Sequence, residues 1–274
     1  MSVNMRKSLL ALVMTISTAA FASSPQYIAL ADSADNYMKR ERWEAAERTI
    51  IKALRLEPAN FSNSLLFSNL GVAQTNLGKY DEALESFRLG LSIAPNSSTL
   101  HNNRARTLLY KGRKEEALED ITQSLEIDSI QEWPMQMKGL LLMEKGNGVE
   151  ARKIFLSLSS HFPYNDVAMA GLGKIAEKEG DNETALRYYD EALRLSDDPE
   201  TRSWRILLKI SMDKYSDASA DIREGIDRYP ENPFFYIWRG YLHRLNYRQD
   251  EAEADKKIAI TKGADPQFVK FYIP

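Results

Sequence analysis

Residues 69–97 read NLGVAQTNLGKYDEALESFRLGLSIAPNS. Two helical patterns lie in this stretch, with Gly78 between them. A glycine there can take the left-handed conformation that ends a helix. Pro95 stops the second helix, because the residue before a proline is pushed out of the helical region. Within that second helix Ala83 and Phe87 are four positions apart and share one face. The small residue lets the two helices approach closely, and the aromatic fills the space between neighbours. Gly71 allows the same close approach from the first helix.

The pattern recurs along the chain. Ala46 pairs with Ile50, Ala83 with Phe87, Ala117 with Ile121 and Ala151 with Phe155; Ala185 pairs with Tyr189, Ala218 with Ile222 and Ala252 with Lys256. The successive alanine spacings are 37, 34, 34, 34, 33 and 34 residues. Gly139, Gly173 and Gly240 repeat the role of Gly71, while Gly112, Gly146 and Gly180 repeat that of Gly78. Pro58, Pro163 and Pro230 close further units as Pro95 does. One such pair cannot bury its apolar face alone, so the pairs must stack, and stability becomes a sum of unit and neighbour terms.

These residues resemble the tetratricopeptide repeat, whose pattern is W-x₂-L-G-x₂-Y…A-x₃-F…P over 34 residues. Leu70-Gly71 and Leu172-Gly173 fall where that family has its Leu-Gly pair. The resemblance covers about residues 27–266 and implies an all-α, right-handed superhelical solenoid of about seven helix-turn-helix repeats. The expected units are 27–63, 64–97, 98–131, 132–165, 166–198, 199–232 and 233–266, followed by a capping tail at 267–274. Departures from the pattern carry their own expectations. The longer first spacing places an insertion near 60–64, and with Arg205-Ile206 in place of Leu-Gly the sixth unit's first helix carries the weakest sequence signal. Ser129, Asp197 and Ala264 stand where a closing proline is expected. Lys256 replaces the buried aromatic of the last unit, which suits an end that meets water. The tail, with Phe268, Val269, Phe271, Tyr272 and Ile273, either folds back over that end or serves as an exposed docking motif.

Composition agrees with a folded chain. Of 274 residues 43% are hydrophobic and 27% charged, with a net charge of −3 and no basic or acidic block to suggest nucleic acid or a solvating tail. Mean hydropathy is −0.43, which argues against a multi-span membrane protein. The sequence has no cysteine, excluding disulfides, thiolate metal sites, cysteine nucleophiles and a lipid-modified cysteine. Arg6 and Lys7, the short apolar run at 9–16 and the small-x-small motif Ala20-Phe21-Ala22 read as a signal peptide over residues 1–22. The run is too short for a membrane span, which takes about 20 residues. The expected mature chain starts near Ser23, carries 34 basic and 39 acidic residues, and is exported to a periplasm or secreted.

Catalytic signatures are missing from the sequence. His101, His161 and His243 lack a metal-ligand partner at helical spacing, and no HExxH, Walker loop or nucleophile elbow occurs. Gly171-Leu-Gly173-Lys-Ile-Ala176 matches a dinucleotide fingerprint in letters only, since it does not follow a strand and Gly173 is explained by packing. Acidic residues read as solvated helix faces. Asn96 and Asn182 are formal glycosylation acceptors in loops. The expectation is a non-enzyme without metal or cofactor.

In the family it resembles, the first helices of successive units line a concave groove for an extended peptide or a partner's helix. Helical phase relative to the packing glycine assigns Asn69, Val72, Asn102, Asn103, Arg106, Tyr110, Trp133, Gln136, Leu140 and Met143 to that face, and further on Lys174, Glu177, Trp204, Phe234, Trp238, Tyr241 and Arg244. Asn69 and Asn103 occupy equivalent places; an amide there can bind a peptide backbone or simply solvate an empty face. Phe234, Phe235, Tyr236, Trp238 and Tyr241 divide between core and groove anchor. The lysine-and-asparagine clamp that some family members use for a C-terminal carboxylate is not reproduced, since Ser68 and Val72 hold two of its places. The leading expectation is a protein-binding scaffold for a peptide segment or partner domain; the alternatives are self-association through the tail and carbohydrate stacking on Trp204 or Trp238.

Overall fold

A computed structural model describes residues 23–274; the signal-peptide reading of residues 1–22 lies outside the described residues. Fifteen α-helices and no strand occur among the described residues. They form two compact units that divide between residues 137 and 138. The first holds α1 (Pro25–Lys39), α2 (Trp43–Leu56), α3 (Asn63–Asn76), α4 (Tyr80–Ile93), α5 (Ser98–Tyr110), α6 (Lys114–Ile127) and the start of α7 (Glu132–Glu144). The second holds the rest of α7, α8 (Gly148–His161), α9 (Asp166–Lys178), α10 (Asn182–Leu195), α11 (Pro199–Ser211), α12 (Tyr215–Arg228), α13 (Pro233–Leu245), α14 (Gln249–Thr261) and α15 (Pro266–Tyr272). Within each unit consecutive helices pack on one another, so the fold is an all-α array of helix pairs.

The small residues set the spacing within each pair. Ala46, Ala83, Ala117, Ala151, Ala185, Ala218 and Ala252 are all fully buried, as are Ile50, Phe87, Ile121, Phe155, Tyr189 and Ile222 four positions on. A Cβ on Gly71 would stand 2.5 Å from the Phe87 ring, and Gly139 and Gly173 stand in the same relation to Phe155 and Tyr189. Gly171 meets the opposite edge of Phe155, also at 2.5 Å, so both glycines of the Gly171-Leu-Gly173 sequence are consumed by ring packing. The turn between paired helices is left-handed throughout. Gly78, Gly112, Gly146 and Gly180 have φ of 70–83°, and Glu41, Asp213 and Tyr247 hold the same place at 55–60° where no glycine is present. Several first helices open on side-chain caps, Ser97 to Leu100 N, Asn165 to Ala168 N and Asp198 to Thr201 N among them.

Three sequence expectations need correction. Acidic side chains are not confined to solvated faces, for Asp120, Asp221 and Asp255 are at most 6% exposed. Each lies three residues after a packing alanine and is held by an arginine of the partner helix: Arg104, Arg205 and Arg239. A bidentate guanidinium satisfies a buried carboxylate and locks the pair together. That explains the sixth pair, where Arg205 in place of leucine binds Asp221 and also Asp190, and α11 is a regular helix. Lys256 does not leave an open, watered end. It pairs with Glu253, while Ile273 of the tail reaches Gly240 and fills the place the aromatic would take. The tail forms α15, with Val269 and Ile273 buried against α13 and α14.

Candidate partner-binding site

In the first unit the assigned residues other than Asn102 lie on α3, α5 and α7 at three- and four-residue intervals, which puts those of each helix on one face. Arg106 stacks its guanidinium on Trp133, 4.2 Å from the ring centroid, and is exposed. No carboxylate pairs with it among the described residues. The indole holds the planar cation by cation–π attraction, and no hydrogen bond among the described residues engages its donors. Asn69 is half-buried and its amide makes no hydrogen bond among the described residues. Its counterpart Asn103 differs, since it donates to Ser68 Oγ at 3.2 Å and keeps its carbonyl oxygen available. Tyr110 is 69% exposed and stacked on Tyr80, 5.9 Å between centroids. Gln136 is half-buried, and Val72 is partly taken up by the core around Phe87 and Leu100.

Asn102 has to be removed from the face. Its amide nitrogen donates to Gln131 at 2.7 Å and its oxygen is buried without a partner, so it belongs to the joint between α5 and the loop before α7. One position of phase error separates it from Asn103: a helix turns 100° per residue, and the two cannot both face outward. Thr75 and Thr107 share a hydrogen bond of 2.7 Å between α3 and α5, a contact the sequence reading missed.

The second unit has a different surface. Leu140 and Met143 of α7 line one cleft with Trp204 of α11, and Lys174 of α9 lies 5.3 Å from the Trp204 ring and 3.1 Å from Glu177. Trp204 rests on Tyr189, whose hydroxyl donates to Glu177 at 2.6 Å. Burial and that carboxylate push the Tyr189 hydroxyl far above its ordinary pKa, so it acts as a fixed donor. The aromatic end is a second correction. Trp238 is 3% exposed, its ring covered by Phe268 and Tyr272 at 6.3 and 4.9 Å. Phe234 meets Phe268 at 5.8 Å and Tyr241 meets Tyr272 at 5.4 Å. The chain's own tail therefore occupies the surface where an aromatic anchor was expected, and Arg244 stacks on Tyr241 beside it.

His101 is spent internally as well, with Asp120 at 2.8 Å on one nitrogen and the Pro95 carbonyl at 3.1 Å on the other. No helix among the described residues is long and apolar enough to cross a membrane.

Comparison with known proteins fits this architecture. Residues 64–97, 98–131 and 168–203 each match a tetratricopeptide repeat model. The tetratricopeptide repeat protein 36 homolog of Drosophila pseudoobscura pseudoobscura is 47% identical over 62 residues, 23% of this chain and 33% of that protein. This chain thus spans about a third of that relative's length. A tetratricopeptide repeat protein from Parabacteroides merdae ATCC 43184 has a TM-score of 0.71 at 25% identity, covering 91% of this chain and 98% of its own. The TPR protein YrrB, described as having an unusual peptide-binding site, shares the fold with a TM-score of 0.52 at 19% identity, covering 69% of this chain and 97% of its own. Three segments of the chain thus match tetratricopeptide repeat models, and its run of stacked helix pairs is similar over 91% of the chain to the fold of a solved tetratricopeptide repeat protein.

Proposed function

We propose that this chain is a non-catalytic scaffold that holds an extended segment of a protein partner on the first-helix face of residues 63–137. The observation that carries the reading is the pair of polar groups left without internal partners there: the Asn69 amide and the Arg106 guanidinium, the latter fixed on Trp133. An amide offers a donor and an acceptor to a peptide backbone. A pre-oriented guanidinium adds bidentate hydrogen bonds at little entropic cost. Tyr110 supplies an exposed ring at the end of the same helix.

The reading is tested by cross-linking in the native host, with a photo-reactive residue at position 106 and identification by mass spectrometry. One dominant partner that is lost on Asn69→Ala with Asn103→Ala supports it. A cross-link pattern indifferent to those changes, or capture of the chain by itself alone, removes it.

We also propose export, on the pattern at residues 1–22. Protein recovered from the host envelope or medium should begin at Ser23. Recovery only of chains that begin at Met1 would reverse this.

A further inference from the structure

The second unit contains a cleft of about 380 Å³ whose floor is Leu140, Met143, Val167 and Trp204. Leu140 is 37% exposed, so this apolar floor is open to solvent. Asp166 and Glu200 stand on its rim and have no basic partner among the described residues. The cleft is lined by two more carboxylates and by no lysine or arginine. Of those two, Asp197 is bound to Arg202 and Arg228, and Asp198 caps α11 at Thr201 N. Acidic residues at the start of α9 and α11 suit the helix dipoles. The dipole does not account for an apolar cleft kept open between them.

We propose that this cleft receives a bulky apolar side chain of a partner segment flanked by lysine or arginine. The inference rests on the scaffold reading and gives the partner's chemistry at a second place. An apolar side chain is driven into the floor by removal of Leu140, Met143 and Trp204 surface from water. A neighbouring cation pairs with Asp166 or Glu200 at the solvent edge, where charge sets selectivity more than affinity. A flanking glutamate would meet Asp166 and Glu200, whose charges no basic side chain offsets, and be disfavoured by like charge. The floor has room for one large side chain or two of medium size, which fits an anchor in an extended segment rather than a whole helix.

The test uses the full chain and short fluorescein-labelled Gly-Ser peptides carrying one central leucine or tryptophan flanked by lysine, glutamate or serine. Affinity is read by anisotropy and location by the methyl signal of Met143 in protein labelled at the methionine methyls. Lysine-flanked peptides should bind at least about tenfold more tightly than glutamate-flanked ones and should shift the Met143 signal. Asp166→Asn with Glu200→Gln, checked for helix content, should weaken lysine-flanked binding about fivefold and leave serine-flanked binding unchanged. Equal binding of both charge classes, an unmoved Met143 signal, or lysine-flanked binding that survives the double substitution would each overturn the proposal. None of these outcomes bears on the cross-link at position 106, so the scaffold reading stands or falls separately.

Discussion

Tyr247 stands at φ 60° with 92% of its surface exposed, in the turn where four other pairs have glycine. A tyrosine side chain in the left-handed region crowds its own carbonyl, at a cost of about 1–2 kcal/mol. With so little surface buried, the ring recovers none of this through packing. Tyr247→Gly should therefore stabilise the chain by about 0.5–1 kcal/mol, less than the full steric relief because glycine adds entropy to the unfolded state. Urea unfolding monitored by circular dichroism measures it. A loss of stability would mean that the ring makes contacts in solution.

At the scale of the element, the first and last helices are each secured by something the repeat pattern does not contain. Glu57, just past α2, accepts from Ser24 N and Ser24 Oγ at 2.7 and 2.6 Å and from Asn60 at 2.7 Å, tying down the start of α1. The Ser24 hydroxyl, then its backbone N–H, hold the Glu57 carboxyl below the usual glutamate range. A depressed pKa in the folded state means the anchor is complete above the unfolded value, near 4.3, and is lost as pH falls through the folded value. Amides of α1 should lose protection as the solution is acidified below the ordinary glutamate range, and Glu57→Gln should remove that pH dependence; hydrogen exchange with mass spectrometry reads both. At the other end Ile273→Ala should cost about 2–4 kcal/mol and shift tryptophan fluorescence to the red as water reaches Trp238. An unchanged spectrum would show that α15 holds without its terminal isoleucine.

These anchors also mark the limit of what the letters disclose. Ala83, Phe87 and Gly71 are legible because helical spacing and a 34-residue interval bring every such set back in the same order. The bond from Arg104 to Asp120 spans sixteen residues and two helices, so its partners are found only when the pair is assembled. Ile273 belongs to no repeat, and nothing in its neighbours announces that it replaces the aromatic missing at Lys256. The candidate face shows the same division. Helical phase brings out Arg106 and Trp133, and the two side chains meet. Asn102 fails by a single step of that phase, and Trp238 fails because a non-repeating segment lies over it.

At the largest scale the important property is that, within each unit, most packing is between helices that are neighbours in sequence. In such an array a local defect is felt by adjacent helices and fades beyond them. Ala83→Leu, at a fully buried position between α3 and α4, should overpack that pair and cost about 1–3 kcal/mol. Hydrogen exchange should quicken in residues 63–110 and remain as before in residues 199–274. Uniform loss of protection along the chain would instead reveal a single cooperative unit.

Phe155 qualifies this modularity. Its ring is gripped on one edge by Gly139, from its own repeat, and on the other by Gly171, from the next. A repeat that serves its own side chains can be duplicated, deleted or moved as a cassette. The segment 132–165 cannot, because half of the socket for its largest buried ring travels with a different cassette. Recombination that joined it to a successor with any side chain at the place of Gly171 would drive a carbon into the ring. Exchange of units in the laboratory should therefore fail at this joint unless residues 132–198 are moved together.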